Sequence, residues 1–148
     1  MEVFRAHDGR HLRSIGDKGL PNEQLVLPVD VAIQMPVRID EDTGNDVDYP
    51  ILYVSDGNCR VQAYNADNGE YIRTFGCGTG WEKGELNNPV GLSVRYPSIG
   101  EYDAQGLRQS PLLYVSDSNN HRVQVFDTKT GKYSNANEIS LSLSKLTS

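Results

Sequence analysis

The chain has 148 residues, enough for one domain with a sizeable core, and no apolar run approaches the roughly 20 residues that a membrane-crossing helix requires. Its 20 acidic residues against 14 basic ones leave a formal net charge of -6, so the averaged field repels phosphate backbones and gives no footprint for nucleic acid. Two cysteines, Cys59 and Cys77, form neither a disulfide framework nor a CxxC pair, which fits free thiols in a reducing compartment and points to the cytoplasm.

From the N-terminus, VFRAHDGRHLRSIG (3–16) reads as two short strands around an Asp8-Gly9 bend. His7 and His11 lie on either side of that bend, so they need not share a face as they would on a helix, and a zinc site from these two is the less favoured reading. Pro28 to Ile33 follows, where Val29, Val31 and Ile33 alternate with Asp30 and Ala32; this period of two sets an apolar row on one sheet face. In DEDTGNDVD (40–48), Asp40, Asp42 and Asp46 offer oxygens to calcium, yet Gly44 stands where an EF-hand loop wants its fifth-position ligand and no closing Glu follows. A solvated acidic hairpin tip is the simpler reading. Leu52 to Ser55 has the low polar content of a strand covered on both faces. Arg60–Tyr64 and Glu70–Phe75 complete a set of four, with Asp67-Asn68-Gly69 supplying the positive-φ positions their hairpin needs.

The glycine-rich GCGTG (76–80) has no helix pattern behind it to present amides to a phosphate, and reads as a flexible connector. Trp81, Glu82 and Lys83, with Asn87 and Asn88 after them, stand on this long connection and form the candidate binding surface. Then the pattern returns. Pro89–Val94 repeats Pro28–Ile33 and Leu113–Asp117 repeats Leu52–Asp56, an offset of 61 in both cases, from 28 to 89 and from 52 to 113. Arg122-Val123-Gln124 matches Arg60-Val61-Gln62 one residue later, because the second copy has an extra residue in its turn. Residues 3–16 line up in the same way with AYNADNGEYIRTFG (63–76).

Asp117, Asn120 and His121 sit where the second strand must reverse into the third, and short polar side chains there can bond the turn's own amides. Arg122 opens the returning strand and can pair with Asp117 across the turn. Asp56, Asn58 and Arg60 repeat the arrangement. Recurrence in each copy argues for a structural hairpin clasp over a catalytic site.

The stretch YVSDSNNHRVQVFDTKTGKY, with FGCGTGWEKGELNNPVGLSV before it, closely resembles the NHL repeat, named for its Asn-His-Leu signature, with Asn120-His121-Arg122 in that place. The earlier copy has Asn58-Cys59-Arg60. Gly76 to Pro89 looks like the family's glycine-rich connection, with Leu86 at the position of the apolar residue that tucks under the next strand. The resemblance implies an all-β fold, a partial β-propeller of four-stranded antiparallel blades. Residues 1–16 then hold the last two strands of one blade, 17–76 a complete blade with an insertion at 35–50, and 77–148 a second blade with an insertion at 95–111 and a Ser-rich tail.

The insertions lengthen the usual propeller repeat of about 40–45 residues; both fall between first and second strands, so they should project from one rim. After Tyr133 the tail replaces the fourth strand and its closing Phe-Gly, with one further strand expected at Ile139–Leu143. Closed propellers take typically 4 to 8 blades, so the open sheet needs a cover: the rest of a longer protein, a ring of copies, or a separate partner.

Similar domains serve as substrate-recognition platforms in RING-type ubiquitin ligases, which implies a non-enzymatic protein-interaction module here. RING ligands are absent from these residues, so ligase activity would need a part of the protein outside them. RNA binding through Arg13, Lys18, Lys83 and Arg95 is the second reading. A metal-dependent lyase, on the pattern of the peptide-amidating enzymes, is the third, and three histidines speak against it. No G-x-S-x-G, H-E-x-x-H or phosphate-cradling glycine loop occurs. We expect no catalytic residue, no cofactor, a protein partner and no membrane association.

Overall fold

A computed structural model of the chain describes residues 1–17, 19, 21–36, 49–98, 101 and 109–134. The acidic segment 40–48, Lys18 and the strand expected at Ile139–Leu143 lie outside them, as do most of the two insertions.

Three antiparallel sheets account for the described residues. The first pairs β1 (Glu2–Phe4) with β2 (His11–Ser14). The second runs in the order β3 (Asp30–Gln34), β4 (Ile51–Asp56), β5 (Arg60–Asn65) and β6 (Tyr71–Phe75). The third holds β7 (Pro89–Arg95), β8 (Leu112–Asp117), β9 (Arg122–Asp127) and β10 (Tyr133–Ser134), again neighbour to neighbour. The fold is all-β, two four-stranded blades and a two-stranded half-blade in the manner of a partial propeller. Each hairpin is set by its sequence. The returning strands pair Asp56 with Arg60 and Asp117 with Arg122, and the extra residue of the second copy is taken up as one 3-10 turn, Ser118–Asn120.

Period-two alternation splits every strand between two faces. In the first blade Ala32, Tyr53, Val61, Ala63 and Phe75 face the second blade, where Leu92, Val94, Leu113, Val115 and Phe126 meet them over Leu86. Edge-to-face rings run through this core from Tyr53 to Phe75 (centroids 5.6 Å apart), Phe126 (5.9 Å) and Tyr133 (6.3 Å), a geometry in which ring edges meet negative ring faces. Burial here raises the Tyr53 phenol well above its usual range. A smaller core joins the half-blade to the first blade through Ile15, Val54 and Tyr64.

Gly16 and Gly76 end the fourth strands at φ 71° and 92°. A Cβ there would stand 2.5 Å from Leu25 Cγ and 3.0 Å from Leu86 Cδ1, so glycine lets each connector leucine slide under its blade.

Three expectations are corrected. The cover on both faces expected for Leu52–Ser55 is found there, with Tyr53, Val54 and Ser55 all buried, but is incomplete in its copy, where Tyr114 and Ser116 are only half-buried. The apolar row of the first strand packs against the core only in the second copy, through half-buried Leu92 and Val94 but not the exposed Val90, whereas Val31 and Ile33 are 49% and 50% exposed. And the fourth strand is not wholly lost: it begins at Tyr133 and runs to Ser134, paired to β9, with the rest of the tail outside the described residues.

Leu27 and Asn88 occupy matching places before Pro28 and Pro89, both in the left-handed region at φ 48° and 57°. Asparagine tolerates that conformation and leucine does not. Leu27 is also 76% exposed, so Leu27→Asn should raise stability by about 1 kcal/mol, read as a higher urea midpoint with unchanged m-value; a lower midpoint would refute it.

Candidate functional site

The turn residues singled out in the sequence come together as a clasp. Asp117 is fully buried. Its Oδ1 accepts the Asn87 amide at 2.7 Å, and its Oδ2 accepts Asn120 Nδ2 at 2.9 Å, Arg122 Nε at 2.7 Å and Gln124 Nε2 at 3.1 Å. In the first blade Asp56 accepts the amides of Val26 and Asn58 and the Arg60 guanidinium, with Arg60 Nη2 at 3.1 Å. His121 and Cys59 close the two turns in the left-handed region, at φ 52° and 56°.

What the sequence did not reveal is where the outer ends of the arginines go. Arg122 donates Nη1 to the Trp81 carbonyl (2.5 Å) and Nη2 to the carbonyls of Glu82 (2.8 Å) and Glu85 (2.9 Å). Asn120 reaches the Gly80 carbonyl at 2.6 Å, and Gln124 brackets the same loop by accepting the Gly84 amide at 2.9 Å and donating to the Glu85 carbonyl. Arg60 does likewise to the carbonyls of Asn22 (2.6 Å) and Gln24 (2.7 Å), joined by Gln62 at Asn22 (2.7 Å). The Tyr64 hydroxyl lies 2.6 Å from the Glu23 carbonyl and 2.7 Å from Gln62 Oε1, and its pKa is pushed up to about 12 by burial. Each clasp therefore ties down the connector that precedes its own blade. The segment expected to be a flexible link is held by several charged or amide donors and anchored by buried Leu86.

On that fixed loop the candidate surface is displayed. Trp81 is 77% exposed, with Nε1 3.1 Å from Glu82 Oε1. Glu82 and Lys83 are exposed beside it, and the Lys83 ammonium sits 5.8 Å from the Tyr133 ring centroid. Asn87 is only half-buried and is engaged with Asp117 and Asn119, while Asn88 is exposed. The structure thus gathers Trp81, Glu82 and Lys83 and gives the two asparagines to the turn.

Residues 112–126 match the family model of the NHL repeat, covering β8, the turn and all of β9 but its last residue. The chain carries an NHL repeat. The curated proteins and the solved structures compared with it give no match. The NHL match falls on the clasp itself, Asp117 to Arg122, whose first-blade counterpart differs by one residue in the turn and by Cys59 in place of His121.

Other sequence-derived candidates are dispersed. Arg13 donates to the Ala66 carbonyl at 2.9 Å and Arg95 pairs with Glu101 at 2.8 Å. His11 lies 2.5 Å from Glu2 Oε2, and His7 faces Asp8 at 3.7 Å. Hydrogen bonds from Ser14 and then His11 hold the Glu2 carboxyl below its ordinary pKa. Among the described residues no three His, Cys, Asp or Glu side chains gather as a metal would require, both thiols are free, and no helix is long and apolar enough to cross a membrane.

Proposed function

We propose that the chain is a non-enzymatic protein-interaction module that presents Trp81, Glu82 and Lys83 to a protein partner. One observation carries this: a single, largely exposed tryptophan stands on a loop whose carbonyls are held by Arg122 and Asn120. Large aromatics beside charged groups dominate binding energy at protein interfaces, and a loop fixed in advance loses little entropy when a partner lands. The NHL resemblance adds the finer reading of a substrate-recognition section for a ubiquitin-ligase-like assembly in the cytoplasm.

The test is capture of proteins by the immobilised full chain, compared with a Trp81→Ala/Lys83→Ala variant. A partner held through this surface should lose at least about tenfold in affinity, as interface anchors do, while the thermal transition stays where it was. A partner retained equally by both forms would remove this surface from the function.

A further inference from the structure

Both cysteines of the chain lie at the open end of the β5–β6 hairpin, Cys59 just before β5 and Cys77 two residues after β6. Within the hairpin Ala63 pairs with Arg73, Gln62 with Thr74 and Val61 with Phe75. Two more steps of that register set Arg60 opposite Gly76 and Cys59 opposite Cys77. The two strands stay together past their last pair, because a Cβ on Gly76 would stand 3.5 Å from the Cys59 carbonyl. Opposite Cα atoms of an antiparallel pair are about 4.5 or 5.5 Å apart, within the roughly 4.4–6.8 Å that a disulfide bridges.

The same two positions are where this hairpin departs from its copies. His121 takes the place of Cys59 in the second blade, and Asp17 takes that of Cys77 after the half-blade, where Gly16 matches Gly76. What each cysteine gives the fold comes from its backbone. Cys59 supplies the left-handed turn residue that His121 supplies equally well, and the Cys77 amide donates to the Gly84 carbonyl at 2.9 Å. Both backbones are held in place. Asp56 accepts the Asn58 amide at 3.0 Å and the Arg60 guanidinium on either side of Cys59, and Gln124 accepts the Gly84 amide across from Cys77. Cys77 is exposed and Cys59 half-buried, so an oxidant reaches the first thiol and the second stands ready to displace it.

We propose that Cys59 and Cys77 form a reversible disulfide site, closed by a small-molecule disulfide such as oxidised glutathione and reopened by a dithiol. The Cys77 thiolate attacks one sulfur of the oxidised glutathione; that S–S bond breaks, and the glutathione thiolate released takes up the proton that Cys77 lost. The Cys59 thiolate then attacks the Cys77 sulfur and expels the second glutathione, which takes up the Cys59 proton. The protein gives up two electrons and two protons, and one glutathione disulfide becomes two thiols. The new bond staples the β4–β5 turn to the root of the connector that enters the second blade. The site is complete within one hairpin and does not rest on the Trp81 reading.

The full chain, reduced and then equilibrated at neutral pH with graded mixtures of oxidised and reduced glutathione, is quenched with N-ethylmaleimide and measured by intact mass spectrometry. The expected product is a monomer lighter by two hydrogen atoms, closed to the maleimide and reopened by dithiothreitol. Its tryptic digest should join peptide 39–60 to peptide 74–83. Because the fold sets the two positions opposite each other, the equilibrium constant for closure should be at least about tenfold larger in the native chain than in the chain unfolded in urea. Cys59→Ser should stop at a glutathione adduct on Cys77, with no thiol left to expel it. Glutathione on both cysteines without closure overturns the proposal. So does a disulfide-linked dimer in place of the closed monomer, or a closure constant no larger in the native chain than in urea.

Discussion

Asp117→Ala should destabilise the chain by about 3–5 kcal/mol, the usual cost of removing one partner from a buried ion pair. The side chain is fully buried and accepts four hydrogen bonds, three of them on Oδ2. Its loss leaves Arg122 Nε and Gln124 without the acceptor that orients them toward the connector. Asp117→Asn should also cost stability, because one amide oxygen cannot replace two carboxylate oxygens and the new NH2 would meet donors. Arg122→Lys keeps the charge, yet a lysine ammonium cannot serve Asp117 and the carbonyls of Trp81, Glu82 and Glu85 in the planar fork that Arg122 uses. Urea unfolding of the full chain measures all three; a change within 0.5 kcal/mol for Asp117→Ala, typical of surface sites, would show that the clasp does not hold the fold.

The same carboxylate sets an acid limit. Burial drives the Asp117 pKa upward, but the bonds from Asn120, Asn87, Arg122 and Gln124 together outweigh it and the value falls below the ordinary 3.8. A group depressed in the folded state contributes stability that is fully present above its unfolded pKa and is lost as pH falls through the folded one. Wild-type stability should therefore drop below about pH 4, and the Asp117→Ala variant should show a shallower fall over that range. Equal slopes would assign the acid sensitivity to other carboxyls.

Much of this was legible because repeats print the same chemistry twice. Leu52-Tyr53-Val54-Ser55-Asp56 and its copy located β4 and β8 to within one residue at each end, and the Asp-to-Arg spacing foretold both salt bridges. The carbonyls that Arg122 holds were not legible, since a backbone oxygen about 40 residues upstream carries no residue identity. Nor was the fate of equal side chains at unequal places. Val31 and Leu92 share a strand position and an alternation pattern, and only the neighbouring sheet decides which is covered. The display of Trp81 has the same origin: a lone aromatic in a loop reads alike whether it packs or projects.

Val61 and Val123 turn that distinction into a measurement. They are the same residue at the same place in two copies of one repeat, yet Val61 is completely buried and Val123 is 57% exposed. Val61 belongs to the core cluster with Tyr53, Phe75 and Leu113. Val61→Ala removes two methyl groups there and should cost about 2 kcal/mol from lost burial and the residual cavity; Val61→Asp places an unpaired carboxylate among those apolar side chains and should cost 4 kcal/mol or more, on the order of the extreme seen for single substitutions. Val123→Ala and Val123→Asp should both stay within about 0.5 kcal/mol. Propensity cannot produce this contrast, because both valines open the same register on matching strands, each paired with a serine, Ser55 or Ser116. Equal losses at the two sites would mean that the outer face of the second blade is covered in the folded chain as fully as the inner one, and that the blades do not end where the sheets do.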